Sequence, residues 1–157
     1  MSSINPESIA NLTIEALERT AFVVAELADD DFVDDLPSCD WYTRIEYTGP
    51  QSGVVYLAGS TGFLQELAAS LLGVDAESVQ AEGEGLDALR EMTNIVGGSI
   101  VTTLGGDHCK LSLGLPSRAD GADIVSTAGT QRCILDAEGE RLEVIWAPAE
   151  QSDSKAA

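Results

Sequence analysis

The strongest helical pattern in the chain lies between residues 84 and 104. Apolar and small side chains recur there every three or four positions, which places them on one helix face: Leu86, Leu89, Thr93, Val96 and Ile100. A second set with the same spacing is polar and forms a separate stripe: Glu84, Asp87, Glu91 and Asn94. We therefore expect an amphipathic helix that lies on a sheet through its apolar face. The polar stripe, including Glu91 and Asn94, should be exposed to solvent.

Two further helices are predicted before this one. The first spans about residues 5–27, because an Asn-Pro pair typical of a helix start is followed by apolar residues at roughly helical spacing. An acidic run at residues 29–35 ends it and is expected to be a solvated loop. The second helix starts at Ser60 or Thr61 and stops at Gly73, a residue favoured just beyond a helix end.

Strand patterns occupy most of the remaining chain. The runs DWYTRIEY and GVVYLAG flank the turn sequence TGPQS and predict a hairpin. The C-terminal part holds four strand-like runs, CKLSLGLP, ADIVSTA, QRCILDA and RLEVIWA, the last two joined at EGE. Because strands cluster rather than alternate with helices, we predict an α+β fold with helices packed on one face of a mainly antiparallel sheet. Residues 1–150 should form a single domain, followed by a disordered tail at residues 151–157.

The charge balance narrows the class of partner. Asp and Glu number 27 against 8 Lys and Arg, which gives a formal net charge of −19. Such a surface repels nucleic-acid phosphates and anionic membranes, so neither is expected as a partner. The chain lacks a basic region followed by an apolar core near its start, and no apolar run reaches membrane-spanning length, so a cytoplasmic location is expected. Composition leaves open whether the acidic surface serves solubility or a basic partner.

The cysteines and the single histidine do not suggest a metal centre. Cys39, Cys109 and Cys133 are widely spaced and are expected to be reduced. His108 lies between Asp107 and Cys109, but neighbouring strand residues point to opposite faces, and the chain has no second histidine. We therefore predict that the protein carries no metal of its own.

A glycine-rich segment at residues 83–88, GEGLDA, formally matches a dinucleotide-binding pattern. No hydrophobic strand precedes it, and Glu84 would repel a pyrophosphate. Nucleotide binding is therefore not predicted.

Gly97 and Gly98 follow the polar stripe directly. Each glycine inside a helix costs about 1 kcal/mol relative to alanine, so the pair requires a compensating reason. The helix either packs closely on another element, or keeps its surface bare so that a partner can approach. Packing alone would account for one of the two, and the sequence leaves both explanations open.

The segment EMTNIVGGSI resembles the hallmark of the CheX, CheC and FliY group of chemotaxis phosphatases, which dephosphorylate a response regulator. Glu91, Asn94 and Gly98 match that E-x-x-N motif and the glycine-containing segment after it, and LSLGLP is similar to the family's strand that ends in proline. The order of elements fits from about residue 7 to 147. The chain has one such motif rather than two, as in the CheX branch. Family members often have asparagine where this chain has Ser99.

The resemblance implies hydrolysis of the aspartyl phosphate of a CheY-like response regulator in chemotaxis or two-component signalling. Asn94 would position the attacking water and Glu91 would pair with a lysine of the partner. Glu84, Asp87 and Gly98 would contact the partner. The protein would need no cofactor of its own, since magnesium is expected in the partner. The resemblance further implies a homodimer in which sheets join.

Two other classes of function stay open at this point. A non-catalytic module of the same fold would bind a response regulator or a scaffold without hydrolysing anything. A structural homodimer would use its acidic face for solubility alone. Release of phosphate over time from a phosphorylated regulator separates these classes from a phosphatase.

Overall fold

A seven-stranded sheet forms one layer of the protein in a computed structural model that describes residues 4–105, 111–124 and 128–149. In chain order the strands are β1 (Glu26–Leu27), β2 (Trp41–Thr48), β3 (Gly53–Gly59), β4 (Ser112–Leu113), β5 (Ser117–Ala119), β6 (Gln131–Ala137) and β7 (Glu140–Pro148). Their order across the sheet is β1-β6-β7-β3-β2-β4, and β5 also pairs with β2. Each of these pairings is antiparallel, and short turns connect β2 to β3 and β6 to β7.

Three helices cover one face of this sheet: α1 (Pro6–Ala21), α2 (Thr61–Leu72) and α3 (Leu86–Gly105). Residues of all three share a single core with the inward side chains of the strands. In β2, for example, Thr43, Ile45 and Tyr47 alternate with more exposed residues and are buried. The α+β prediction is confirmed.

The helix starts follow the local chemistry of the sequence. The Asn5 side chain accepts a hydrogen bond from the backbone N–H of Ser8 at 2.8 Å and caps α1. The Ser60 hydroxyl accepts one from the N–H of Phe63 at 3.3 Å and caps α2. This second helix ends as predicted at Gly73, whose φ of 70° favours glycine.

The first helix is shorter than its apolar spacing predicts. It ends at Ala21, because Phe22 takes a left-handed conformation with φ of 55°, so the prediction of a helix to about residue 27 is wrong. Beyond this point burial alternates, with Val23 inside and Val24 exposed, and β1 pairs with β6. Pairing with a strand more than 100 residues away overrides the local helical spacing.

The run ADIVSTA does not form the predicted strand within its described part, residues 122–124 and 128. Gly121–Asp123 instead form a 3₁₀ turn in which Asp120 and Asp123 cap each other's backbone. Short acidic side chains bond readily to nearby backbone N–H groups, which competes with strand pairing. The hydroxyl of Tyr56 then donates to the Asp123 carbonyl at 3.1 Å and holds this turn on the outer face of the sheet.

Some expectations fall outside the described residues, namely the predicted tail at residues 151–157 and the group formed by Asp107, His108 and Cys109. Within the described ranges, no helix is both long enough and apolar enough to cross a membrane.

Candidate functional site

Helix α3 presents two chemically different faces, as its sequence predicts. The apolar face is buried against the sheet and consists of Leu86, Leu89, Thr93, Val96 and Ile100. The polar stripe is exposed: Asp87, Glu91 and Asn94 lie on α3, and Glu84 lies in the turn just before it. The prediction that Glu91 and Asn94 are both exposed on a helix backed by the sheet is confirmed.

A buried hydrogen-bond relay fixes the rotation of α3 at the height of Asn94. The Thr93 hydroxyl donates to the Leu89 carbonyl at 2.7 Å, so its oxygen is left to accept from Thr43 of β2, at 2.5 Å. Both threonines are fully buried. A buried hydrogen bond contributes about 1 kcal/mol and is costly to break on one side only. Because Thr93 must face β2, the adjacent Asn94 is turned outward.

The four stripe residues differ in their local partners. Glu84 lies in a π-helical turn at Ala81–Gly85, and its carboxylate accepts a hydrogen bond from the N–H of Gln80 at 3.1 Å. Asp87 forms an ion pair with Arg90 on the same helix. Residues 83–85 of the GEGLDA segment belong to the π-helical turn, which places Glu84 at the start of the stripe.

Glu91 and Asn94 make no such side-chain contacts with the described part of the chain: neither has a hydrogen bond or an ion pair there. Their Cβ atoms, three residues apart on a helix, lie about 5–6 Å from each other. A carboxylate and an amide thus stand side by side with their bonding capacity directed to solvent. Such a pair is available to a ligand or a partner at no cost in intramolecular bonds.

The two glycines of α3 occupy different structural environments. A Cβ added at Gly97 would lie 2.8 Å from Cγ2 of Ile45, a methyl group on the branched Cβ of a core side chain. The helix therefore packs closely on β2 there. A Cβ added at Gly98 would meet only Leu113 Cδ2, at an ordinary 3.9 Å. Close packing therefore accounts for Gly97, whereas Gly98 keeps the surface beside Asn94 bare.

The glycines should respond oppositely to alanine. Gly97→Ala is expected to lower the free energy of unfolding by about 1–3 kcal/mol, because crowding against Ile45 outweighs the gain in helix propensity. Gly98→Ala is expected to raise it by up to about 1 kcal/mol. Urea denaturation of both variants measures the difference. Equal stability of the two would contradict the close contact at Gly97.

A groove of about 660 Å³ runs between α1 and α3. It contains Asn94 and Gly98 on the α3 side and is bordered by Leu113 of β4. The α1 side contributes Leu12, Glu15, Ala16, Arg19 and Thr20. Ser99 lines the groove as well and is half-buried, so the position that departs from the family pattern lies next to the candidate site.

The α1 side of this groove was not predicted from the sequence. Glu15 and Arg19 stand four residues apart with the acid first, the favourable order for an ion pair on a helix, and this spacing was the available signal. It predicts a pair on a helix surface, but not which other helix that surface faces. The groove follows from the packing of α1 against α3, which is a tertiary contact.

The two described cysteines are not suited to nucleophilic chemistry. Burial, reinforced by the carboxylate of Glu143, raises the pKa of Cys39 to about 12. Burial likewise raises the pKa of Cys133 to about 12. Both thiols are free and protonated near neutral pH, and the thiolate is the reactive form.

The carboxylates and thiols within the described ranges do not gather into a group of three that would hold a metal ion. What the site offers is a pair of uncommitted polar side chains beside a groove whose lining is partly polar and partly apolar. Such an arrangement can orient a water molecule and engage a cationic group.

Residues 41–138 match the family model described as chemotaxis phosphatase CheX. Among solved structures, chemotaxis protein CheX from Vibrio vulnificus is similar, with a TM-score of 0.70 and 14% identity over 90% of this chain and 93% of that one. CheX from Desulfovibrio desulfuricans has a TM-score of 0.68 and 14% identity over 90% and 96% of the two chains. The CheX–CheY–BeF3–Mg²⁺ complex from Borrelia burgdorferi contains a chain with a TM-score of 0.63 and 17% identity, over 92% and 97%.

These identities are low, so the structural likeness establishes a shared fold and nothing finer. The family match covers more than half of the chain and includes both Glu91 and Asn94. Comparison with curated proteins gives no match.

Proposed function

The chain belongs to the CheX family of chemotaxis phosphatases, and we propose that it hydrolyses the aspartyl phosphate of a CheY-like response regulator. The observation that carries this proposal is the pair Glu91 and Asn94, exposed and without intramolecular side-chain partners in the described part of the chain. The solved complex of a similar fold with CheY supports a response regulator as the partner. The cytoplasm is the proposed compartment.

In the proposed reaction, a water oxygen attacks the phosphorus atom and the bond between phosphorus and the aspartate oxygen breaks. The products are inorganic phosphate and a free aspartate on the regulator. The Asn94 amide accepts a hydrogen bond from the water and donates one through its NH₂ group, which aligns the water with the breaking bond. Magnesium, held by the regulator, is the only metal that the proposal includes.

Glu91 has a different proposed role. Its carboxylate pairs with a lysine of the regulator and docks α3 over the phosphorylation site. Glu84 and Asp87 extend the same acidic stripe and are proposed to contact the partner. Asp87 would have to share its existing bond to Arg90, an exposed ion pair of small energetic value.

The direct test mixes the protein with a phosphorylated CheY-like regulator from the same genome and follows phosphate release. The expected result is faster release in proportion to the amount of protein added. A regulator that binds without any acceleration would favour the alternative, a binding module without hydrolysis. Absence of both binding and acceleration would favour a structural role, and the homodimer stays a prediction in either case.

Filling the bare surface should impair docking. Gly98→Leu is expected to weaken regulator binding roughly 10-fold, because the new side chain projects into the groove beside Asn94 and overpacking costs about 1–3 kcal/mol. Gly98→Ala is the matched control and should bind normally. Titration calorimetry with each variant measures the effect. Unchanged binding by a folded Gly98→Leu variant would show that the partner does not enter the groove.

A further inference from the structure

Arg19 lines the groove from the α1 side, whereas Asn94 and Gly98 line it from the α3 side. Its side chain is 75% exposed and bonds to Glu15 at 2.5 Å. Both residues line the groove, while Glu18, the neighbouring acid on α1, is exposed but lies outside the lining. The groove beside the candidate site thus contains a guanidinium group.

No second basic residue of the described chain shares the groove with Arg19 and its partner Glu15. Of the described basic residues, Arg19 alone lines the groove; the others are Arg44, Arg90, Arg118, Arg132 and Arg141. Arg90 is tied to Asp87 on the stripe, and Arg132 and Arg141 interact with Glu143 on the outer face of the sheet. An anionic group that approaches the groove therefore meets one guanidinium, paired with Glu15, on a protein of net charge −19.

The positive charge of Arg19 bears directly on the proposed reaction, because the substrate is an anion. An aspartyl phosphate is an anion, and a strongly acidic protein repels it during approach. A guanidinium beside the approach path offsets that repulsion locally and offers several N–H donors in a planar fork that fits carboxylate or phosphate oxygens. A lone cation in this position would therefore select for an anionic surface on the partner.

The ion pair between Arg19 and Glu15 is suited to replacement by a contact between Arg19 and a partner. Both side chains are largely exposed, and ion pairs in such positions contribute little to folding stability because water and salt screen them. Replacing the Glu15 carboxylate with an oxyanion of a partner would therefore cost little. Glu15 holds the guanidinium over the groove in the free protein and competes with the partner for it.

We propose that Arg19 leaves Glu15 and binds an oxyanion of the docked response regulator, so that α1 supplies a second contact surface which determines partner selectivity. This inference rests on the proposed function, since it requires the regulator to dock at Glu91 and Asn94. The oxyanion is either the phosphoryl group or a carboxylate of the regulator. These two sources predict different dependence on phosphorylation.

A purely stabilising role makes a different prediction. Arg19 lies in the last turn of α1, where a cation is favoured by the helix dipole, and its spacing from Glu15 supports the helix. In that case Arg19→Ala would lower thermal stability and leave regulator binding unchanged. The proposal expects the reverse, with binding weakened and stability nearly unchanged.

The experiment measures binding of a CheY-like regulator, activated with beryllofluoride and magnesium, to the full chain. Arg19→Ala is expected to weaken binding about 10-fold at low salt, with a smaller loss at high salt, because the contact is electrostatic. Arg132→Ala removes the same charge from the outer face of the sheet and should change binding less than about 2-fold. Circular dichroism during heating checks that Arg19→Ala folds as stably as wild type.

A second pair of variants tests the competition with Glu15. Glu15→Gln should tighten binding about 3-fold because it releases Arg19, whereas Glu18→Gln, on the same helix but outside the groove lining, should not. Repeating the titrations with unphosphorylated regulator identifies the oxyanion. A defect of Arg19→Ala confined to the activated form supports a phosphoryl contact, and an equal defect in both forms supports a carboxylate.

The outcomes separate this inference from the proposed function. Wild-type protein that accelerates dephosphorylation, together with wild-type binding by both Arg19→Ala and Glu15→Gln, would overturn the inference and leave the proposed function standing. Wild-type protein that neither binds nor dephosphorylates the regulator would overturn both.

Discussion

Replacing Asn94 with alanine is expected to slow the stimulated dephosphorylation of the regulator by on the order of 100-fold, about 2.7 kcal/mol of transition-state stabilisation. The amide is assigned to the attacking water, so its loss removes an interaction needed in the transition state. Regulator binding should be nearly unchanged. The decay of phosphorylated regulator at several protein concentrations separates the turnover rate from binding.

Folding should not confound this experiment. Asn94 is exposed and makes no side-chain hydrogen bond with the described residues, and alanine has the higher helix propensity. Asn11→Ala, which changes an exposed asparagine of α1 outside the groove lining, is the matched control and should retain full activity. Full turnover by a folded Asn94→Ala variant would refute the proposed role of the amide.

Glu91→Ala should produce a defect of another kind. If the carboxylate pairs with a lysine of the regulator, its removal is expected to weaken binding on the order of 30-fold, about 2 kcal/mol, and to lower the rate at limiting protein concentration. The binding defect should shrink as ionic strength rises, because salt screens the pair that the mutation removes. Titration of the activated regulator at low and high salt measures both effects.

The control for this variant is Glu18→Ala, which removes one negative charge from an exposed position on α1. It should bind the regulator as wild type does at either salt concentration. If Glu91→Ala and Glu18→Ala weakened binding equally, the effect would belong to net charge rather than to a specific pair. A Glu91→Ala defect that does not depend on salt would contradict the ion pair with lysine.

The two faces of α3 were predictable because the spacing of residues along a helix determines which face of the helix each one occupies. Their periodicity alone predicted that Leu89 and Val96 are buried. It likewise predicted that Glu91 and Asn94 are exposed. Helical spacing did not predict the structure after Ala21, because the residues there pair with β6, a strand much later in the chain. Local patterns do not contain such distant pairings.

Gly97 and Gly98 show the same limit of prediction from local sequence. Helix propensity identified Gly97 and Gly98 as costly, but both have the same propensity, so the sequence gives no means to tell them apart. The difference arises from Ile45, which lies on another element and faces only one of them. Likewise, Glu15 and Arg19 are recognisable as a helical pair, while their place in the same groove as Asn94 depends on how α1 and α3 pack.

The buried bond between Thr43 and Thr93 also affects how fast a partner can be recognised. It joins α3 to β2 before any regulator arrives, so the backbone entropy of ordering Glu91 and Asn94 is lost during folding rather than during association. The preformed stripe can then meet a partner without a slow rearrangement of α3, so diffusion and long-range charge set the encounter rate on this side. Two hydroxyl groups in the core thus favour fast association.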